Sequence, residues 1–262
     1  MNSDTAEMIR RRPKEWALDF IRSLKDRYEP GVHDLRFAQS FEFLMQQVFE
    51  SKVAELGGQP LRILDAGGRS TFGTVLVRAF TELGWPLLYN TTSDFTKSDG
   101  TTPDIRTFKI TEKFHVVLFM EVIEHLHDLN VDGTMWVDED KRARWTGDGQ
   151  FSTCMALCHC LEPLGVMFTT TPNPCGLRGL YNILQGASPI TYEPHVREIT
   201  LDTVLDKMKK CGMRIVYSGS WTVWGHHGLS PNSIDLCQRI LAQAGVPGVH
   251  RGDDLYCLSQ LV

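Results

Sequence analysis

The stretch "LRILDAGG", residues 61–68, constrains the fold more than any other part of this chain of 262 residues. It is a short apolar run that leads directly into glycines. The following stretch, "TFGTVLVRAFTELG", has apolar residues at helical spacing and ends in Gly84. An apolar strand, a glycine turn and an amphipathic helix in this order predict one β-loop-α unit.

Further apolar segments have the pattern of buried strands, and helical spacing recurs between them. The strand segments are 86–95, 114–120, 165–174, 213–224 and 253–262, and the helical ones are 200–211 and 233–244. Strands that alternate with helices predict an α/β fold, in which a mostly parallel sheet is covered by helices on both faces.

The residues before the first strand have a different pattern. Apolar side chains at helical spacing predict one helix over 5–28 and a second over 33–56. A polar, turn-rich stretch and a long connection after the strand at 165–174 indicate insertions, and the second insertion is suited to an acceptor pocket or a lid. The predicted organisation is a helical extension at 1–58 and a sheet domain at 59–262, with inserts near 129–150 and 172–200.

Composition excludes several classes of protein. The net charge of -5 provides no broad basic surface for a phosphate backbone, so nucleic-acid binding is disfavoured. The seven cysteines form no Cys-x-x-Cys pair, which fits neither a disulfide framework nor a zinc ribbon. The sequence contains no signal-peptide pattern and no apolar span of about 20 residues. We expect a cytoplasmic protein without a membrane span, whose oligomeric state is open, a dimer being one alternative.

The turn after the first strand is a candidate ligand site. In open α/β sheets, ligands bind at the carboxyl ends of the strands, where Asp65, Gly67 and Gly68 fall. The spacing is not that of a dinucleotide-binding turn, and a plain tight turn remains an alternative. Asp94 ends the second strand, where a carboxylate suits the two hydroxyls of a ribose or, alternatively, caps a turn.

Ionisable residues are concentrated in "LFMEVIEHLHD", residues 118–128, directly after a buried strand. If a helix follows Met120, then Glu121, Glu124 and His125 share one helical face. Neighbouring carboxylates repel each other unless a proton or a cation neutralises them, and His195 in "TYEPHVREIT" is a candidate fourth ligand. The pattern therefore indicates either a divalent metal site or a polar site with a general base.

The motifs "ILDAGG", "SDF", "VVLFMEVIEHL", "LEPLGVMFTTTPN" and "EPHVREIT" occur in this order, and over roughly 60–218 the chain resembles a class I S-adenosylmethionine-dependent methyltransferase. The resemblance implies a Rossmann-like sheet with an antiparallel last strand. It also implies that Gly67 lies beside the methionine part of the cofactor, with Asp65 and Gly68 as further cofactor-binding residues, and that Asp94 holds the ribose. The remaining implied cofactor residues are Asp104 and Ile105 at the adenine and Met120 at the end of the strand.

The chain departs from the family pattern in places. Its glycine turn reads "GGRSTFG", with Arg69 and Ser70 where small residues are common. Few residues separate Asp94 from Asp104, so we expect the helix between the second and third strands of the family to be lost or shortened. These departures concern the ribose and adenine contacts more than the fold.

The EVIEH and TPN motifs are similar to those of ubiquinone-biosynthesis O-methyltransferases and of small-RNA 3′-terminal 2′-O-methyltransferases. That similarity implies a metal bound by Glu121, Glu124, His125 and His195, with magnesium, manganese or zinc as candidates. Without a metal, His125, His195 or Glu121 would serve catalysis directly, a histidine acting as the base. The expected function is O-methylation of a small molecule or a saccharide. The alternatives are 2′-O-methylation of RNA ends and a binding subunit without catalysis.

Overall fold

A computed structural model describes residues 3–24, 33–67, 71–95, 100, 102–127, 148–190, 195–246, 248 and 250–262 of the chain. Its strands are β1 Leu61–Asp65, β2 Leu87–Thr91, β3 Phe114–Met120, β4 Leu161–Pro172, β5 Met213–Trp221 and β6 Asp254–Leu261. Its α-helices of more than four residues are α1 Ser3–Arg11, α2 Pro13–Ser23, α3 Asp34–Leu44, α4 Glu50–Glu55, α5 Thr71–Leu83, α6 Gly149–Cys158, α7 Leu177–Leu184, α8 Leu201–Lys210 and α9 Pro231–Gln243. No helix of this part of the chain is both long and apolar enough to cross a membrane.

The six strands form one sheet in the order β2-β1-β3-β4-β6-β5. The pairs β1–β2, β1–β3 and β3–β4 are parallel, whereas β6 runs antiparallel to both of its neighbours. The predicted α/β class, its helix-covered sheet and its antiparallel last strand are therefore confirmed.

One edge of the sheet collects the residues that the sequence marks as functional. Asp65 pairs with Leu118 two residues before β3 ends, and Met120 pairs with Thr170 on β4. Because β6 runs in the opposite direction, its first residue, Asp254, pairs with the last residue of β4 and so lies at the same edge. The carboxyl ends of β1, β3, β4 and β5 and the amino end of β6 thus surround one area.

Helices pack on both faces of the sheet. The helices α1–α3, α5 and the turn Met45–Phe49 bury apolar residues on one face, in a cluster that includes Phe41, Phe80 and Phe168. On the other face α6 and α8 pack against residues such as Phe119 and Met167. Burial on both faces explains why the central strands are continuously apolar rather than alternating.

The N-terminal helices differ in part from the prediction. The single helix over 5–28 is wrong, because α1 ends at Arg11 and α2 begins at Pro13. A proline lacks the backbone N–H that a continuous helix needs but is well placed at the first position of a new helix. The second predicted helix is present as α3, a π-helical turn at Met45–Phe49 and α4, which follow one another without a gap. The division into an extension and a sheet domain stays a prediction.

The connection between β2 and β3 contains little regular secondary structure. In the described part of residues 92–113, the 3-10 turn Thr92–Phe95 is the regular element, and no α-helix is present. This agrees with the expected loss of a helix between the second and third strands of the family. The first predicted insert lies almost entirely outside the described residues, and the second contains α7.

Candidate active site

The turn after β1 is held by the side chain of Asp65. Its Oδ1 accepts a hydrogen bond from the backbone N–H of Gly67 at 3.1 Å, and its Oδ2 accepts one from the hydroxyl of Tyr89 at 2.6 Å. Asp65 is buried, and Tyr89 lies on the neighbouring strand β2. The carboxylate therefore fixes the turn to the sheet, and Tyr89 is a residue that sequence reasoning missed. Gly68 lies outside the described residues.

Two glycines lie at close approaches to neighbouring segments. A Cβ at Gly67 would lie 3.0 Å from Cγ2 of Val122, so the turn touches the segment after β3 directly. A Cβ at Gly73 would lie 2.1 Å from the hydroxyl of Tyr89. Gly73, in the first turn of α5, thus leaves room for the hydroxyl that holds Asp65.

Asp94 lies in the 3-10 turn that follows β2. Its Oδ2 accepts hydrogen bonds from the backbone N–H of Thr91 at 2.6 Å and from the hydroxyl of Thr91 at 3.1 Å. This is the turn-capping arrangement that the sequence left open as an alternative. Asp94 is exposed at the carboxyl end of β2, and its contact with a ribose stays a prediction.

Asp104 is paired with Arg106, whose Nη2 lies 2.8 Å from Oδ2 of the carboxylate. Hydrogen bonding to Arg106 lowers the pKa of Asp104. Arg106 also donates from Nη1 to the carbonyl of His127 at 3.4 Å, and so joins this segment to the residues after β3. Ile105, which lies between them in the sequence, is partly buried against the apolar cluster on the face of the sheet that α6 and α8 cover.

Glu121 follows β3 in the left-handed region of the backbone, with φ of 53°. The next regular element is the 3-10 turn Ile123–His125, so the predicted α-helix with Glu121, Glu124 and His125 on one face is wrong. Glu121 turns towards β4 and the N-terminal helices instead. Its Oε1 accepts from the hydroxyl of Thr170 at 2.8 Å, and its Oε2 lies 3.2 Å from Nη1 of Arg36.

Glu124 is completely buried. Its Oε2 accepts a hydrogen bond from the hydroxyl of Thr171 at 2.9 Å, while its Oε1 has no hydrogen-bond partner among the described residues. Burial raises the pKa of Glu124 to about 7, against the opposing effects of His195, Thr171 and Arg36. A buried carboxylate with one oxygen unsatisfied is expected to bind a cation or a proton.

His125 and His195 complete this cluster. Their rings meet edge to face with centroids 4.8 Å apart, and ligand atoms of Glu124, His125 and His195 all lie within 4.8 Å of one another. Nδ1 of His195 lies 2.6 Å from Oε1 of Glu198, a residue that sequence reasoning missed. Of the four predicted metal ligands, the structure brings these three together, and Glu121 is not among them.

The approach of His195 to Glu124 is fixed by backbone hydrogen bonds. The carbonyl of Glu124 accepts from the N–H groups of Val196 and Arg197, at 2.9 and 3.1 Å. Gln150, which is completely buried in α6, donates to the carbonyls of Ile123 and Arg197. The two motifs "EVIEH" and "HVRE", although distant in the sequence, are therefore held together as one unit.

Arg36 and Asp254 are two further buried charges that sequence reasoning missed. Burial lowers the pKa of Arg36 to about 10, although Asp254 and Glu124 oppose the shift. Burial also raises the pKa of Asp254 well above its usual range, against the effect of Arg36. Glu121, Glu124 and Asp254 thus lie around one guanidinium, supplied by α3 of the N-terminal extension.

The TPN motif is structural in this chain. Nδ2 of Asn173 donates to the carbonyls of His250 and Gly252, at 2.9 and 2.7 Å, and Oδ1 accepts from the N–H of Cys175. These hydrogen bonds tie the end of β4 to the start of β6. Met120 is partly buried against the apolar cluster on the opposite face of the sheet, which includes Phe168. Asp128, the last residue of the ionisable stretch after β3, lies outside the described residues.

No family model matches the chain, and no curated protein matches it. Similar solved structures include an S-adenosylmethionine-dependent methyltransferase from Archaeoglobus fulgidus, with 14% identity, a TM-score of 0.43, and coverage of 84% of this chain and 99% of that chain. Another is the N-methyltransferase NodS from Bradyrhizobium japonicum WM9 with S-adenosyl-L-homocysteine, with 13% identity, a TM-score of 0.43, and coverage of 95% and 98%.

The [4+2]-cyclase SpnF is a third similar structure, with 10% identity, a TM-score of 0.43, and coverage of 84% of this chain and 83% of that chain. The structural neighbours are therefore largely S-adenosylmethionine-dependent methyltransferases, with other chemistry represented among them. At these identities and scores, what this chain does has to be inferred from its own residues.

Proposed function

We propose that the chain is an S-adenosylmethionine-dependent methyltransferase that methylates a hydroxyl of a small molecule or a saccharide. One observation carries this proposal. The turn at Gly67, where the motif resemblance puts the methyl donor, touches Val122, in the middle of the segment that holds Glu121, Glu124 and His125. A donor bound on the turn would have its methyl group close to a cluster that is able to activate an acceptor.

The cofactor side of the proposal rests on the carboxyl ends of β1, β2 and β3. When bound, S-adenosylmethionine supplies an electrophilic methyl group. Asp65 orders the turn at Gly67 through its hydrogen bonds, and a glycine there lets a ligand approach the backbone. Asp94, Asp104, Ile105 and Met120 are the remaining proposed neighbours of the cofactor.

The acceptor hydroxyl has to lose a proton, because it is a weak acid at neutral pH. The pair of His195 and Glu198 supports this step. If Nδ1 of His195 carries a proton and donates it in a hydrogen bond to Glu198, Nε2 is unprotonated and can accept the proton of the acceptor hydroxyl. His125, whose ring contacts that of His195, is the second candidate base. Glu121 is assigned a positioning role and not that of a base, because its carboxylate is already engaged by Thr170 and Arg36.

A divalent metal fits the same cluster. Glu124 has a buried oxygen without a hydrogen-bond partner among the described residues, and one carboxylate with two imidazoles is a donor set that suits zinc or manganese. The proposed ligands are Glu124, His125 and His195. When bound, the metal would lower the pKa of a hydroxyl. In that case Glu198 would orient His195 as a ligand.

Calorimetry with S-adenosylmethionine and S-adenosylhomocysteine is the first test, because it does not require the acceptor to be known. Binding of neither molecule would contradict the proposal. Transfer of a labelled methyl group is then measured on panels of alcohols, glycosides, amines and short RNA. Transfer to hydroxyls of small molecules supports the proposal, whereas transfer to amines or RNA alone contradicts its acceptor class. Binding without any transfer would favour a binding subunit.

A further inference from the structure

A second polar area lies beside the proposed catalytic cluster, at the amino end of β6. Asp254 is completely buried, and neither of its carboxylate oxygens makes a hydrogen bond of good geometry within the described residues, although the backbone of Thr171 lies close enough to lower the pKa of Asp254. Nε of Arg36 and Nε1 of Trp224 are also buried without hydrogen-bond partners there. Buried polar groups are rarely left without a hydrogen-bond partner, because each such group lowers the stability of the fold. These groups therefore indicate a ligand rather than a simple core.

The groups belong to one continuous area. The guanidinium carbon of Arg36 lies 5.6 Å from the centre of the Trp224 ring, and the rings of Trp224 and His227 are 5.0 Å apart. Arg36 is close enough to Asp254 for each to affect the pKa of the other. Trp224 is only partly buried, so a ligand has access to part of its ring.

The loop that carries Trp224 is held rigidly. Oδ1 of Asp253 accepts from the N–H of Val223 at 2.7 Å, and Oδ2 accepts from the N–H groups of Trp224 and His226, at 3.1 and 2.6 Å. His226 and His227 both have left-handed backbone, with φ of 55° and 53°. Strained backbone that the surroundings hold in place is characteristic of binding sites. Trp224 is thus fixed in position before any ligand arrives.

The hydrogen-bonding capacity of these buried groups indicates which class of ligand could bind them. The two oxygens of Asp254 need hydrogen-bond partners, at least one of them a donor, whereas Arg36 and Trp224 need acceptors. An ammonium group could satisfy only Asp254, and an anion would be repelled by the carboxylate of Glu121, which pairs with Arg36. A hydroxyl group both donates and accepts, and an accessible indole ring suits the apolar face of a sugar ring.

We propose that Arg36, Trp224 and Asp254 form an acceptor subsite for a polyhydroxylated ring such as a pyranoside. The inference rests on the proposed methyltransferase function, which it narrows to a saccharide acceptor. Nη1 of Arg36 lies 3.2 Å from Oε2 of Glu121, and Arg36 is close enough to Glu124 for the carboxylate to affect its pKa, so the subsite adjoins the proposed catalytic cluster. A sugar bound there would have a neighbouring hydroxyl within reach of that cluster.

The test uses the full chain and a panel of methyl pyranosides: glucoside, galactoside, mannoside and xyloside. Each is titrated by calorimetry or by NMR, with and without S-adenosylhomocysteine. At least one glycoside is expected to bind, and Trp224→Ala and Asp254→Asn should weaken its binding by about tenfold or more, the equivalent of one hydrogen bond to a charged group. The dissociation constant of S-adenosylhomocysteine should stay unchanged in both variants.

Matched controls are Trp85→Phe and Asp202→Asn, with Trp224→Phe as the conservative variant. Trp85 packs on Phe80 just before β2, at the opposite edge of the sheet, and Asp202 is exposed on α8. The controls should bind the glycoside as the natural chain does, and Trp224→Phe should retain most of the affinity. Thermal melting checks that each variant is folded.

The failures of the two proposals are distinguishable. If S-adenosylhomocysteine binds but no glycoside does, the subsite proposal alone is overturned. The subsite proposal alone is also overturned if Trp224→Ala and Asp254→Asn bind glycosides with unchanged affinity, or if methylamine binds to the protein and glycosides do not. If a glycoside binds through Trp224 and Asp254 while S-adenosylhomocysteine does not bind, the subsite is supported and the methyltransferase function is overturned.

Discussion

The carboxylate of Glu198 lies behind His195, with Oε1 2.6 Å from Nδ1 of the imidazole, and its side chain is completely buried. A buried carboxylate at this distance fixes both the orientation of the ring and the position of its proton. The same arrangement serves a histidine that accepts a proton and a histidine that binds a metal, because both functions use Nε2. Loss of this contact is therefore expected to impair either mechanism, and removal of metal separates the two.

The variant Glu198→Gln keeps the shape of the side chain but removes its charge. We expect methyl transfer, and any metal affinity, to fall by about tenfold to a hundredfold, as is typical when the partner of a histidine ligand is changed. The measurement is kcat with the pH–rate profile, alongside metal titration. Glu162→Gln is the control, because Glu162 pairs with Arg62 near the start of β4, away from the site. An unchanged kcat and pH profile in Glu198→Gln would contradict the role of Glu198.

Removal of metal is the second prediction. If Glu124, His125 and His195 hold a divalent ion, excess chelator should abolish methyl transfer but leave the binding of S-adenosylmethionine nearly intact, because the proposed cofactor contacts are elsewhere. Addition of manganese, zinc or magnesium should restore transfer. His195→Ala should weaken metal affinity strongly. Full activity in excess chelator would rule out the metal, and His195 or His125 would then be the base, with one ionisation of histidine in the pH–rate profile.

The glycine at position 73 supports the third prediction. In Gly73→Ala, the new Cβ would lie 2.1 Å from the Tyr89 hydroxyl, which has to move away from Asp65. We expect the affinity for S-adenosylhomocysteine to fall by about tenfold, the equivalent of one hydrogen bond to a charged group. Calorimetry measures this, with Gly248→Ala as control, because a Cβ there meets nothing within 4 Å. Equal affinity in the two variants would show that Tyr89 does not order the turn.

Much of the fold could be predicted from the sequence, for identifiable physical reasons. The central strands are buried on both faces, so runs such as 114–120 are apolar throughout and end where polar residues begin. The candidate site residues at their carboxyl ends could be located for the same reason. His195, in the motif "TYEPHVREIT", is a predicted fourth ligand, and the structure places it beside Glu124 and His125.

The rest depends on contacts between distant segments. The conformation of Glu121 is set by Thr170 and by Arg36, not by its neighbours in the sequence, so local spacing predicted a helix where the structure has a 3-10 turn. Arg36 lies in an amphipathic helix in which a charged residue is expected to be exposed. Its burial follows from three carboxylates that the topology brings to the same edge.

The fourth prediction concerns Arg36 itself. Arg36→Met leaves Glu121, Glu124 and Asp254 without their buried cation, and removal of one partner of a buried ion pair typically costs about 3–5 kcal/mol of stability. The free energy of unfolding in urea measures the loss. In the double variant Arg36→Met with Glu121→Gln, the additional loss from the second change should be smaller than in Glu121→Gln alone. Strict additivity of the two changes would contradict a coupling between these residues.

The last prediction follows from the raised pKa of Asp254. Burial keeps this pKa well above its ordinary value of 3.8, so between that value and the folded-state pKa the folded protein holds a proton that the unfolded chain has lost. Stability therefore decreases as the pH rises through this window, and it is not affected at pH values below the unfolded-state pKa. Asp254→Asn cannot ionise and escapes this loss.

We thus expect Asp254→Asn to melt at a higher temperature than the natural chain at about pH 7.5, with the difference shrinking towards about pH 4. Thermal melting across this range measures it, and Asp202→Asn, at an exposed position, should show no such trend. A loss of stability in Asp254→Asn that is larger at about pH 7.5 than at about pH 4 would contradict this prediction and would show that the ionised form stabilises the fold through Arg36. A gain at neutral pH would mean that the chain keeps a destabilising buried charge, as is expected where a ligand has to be bound.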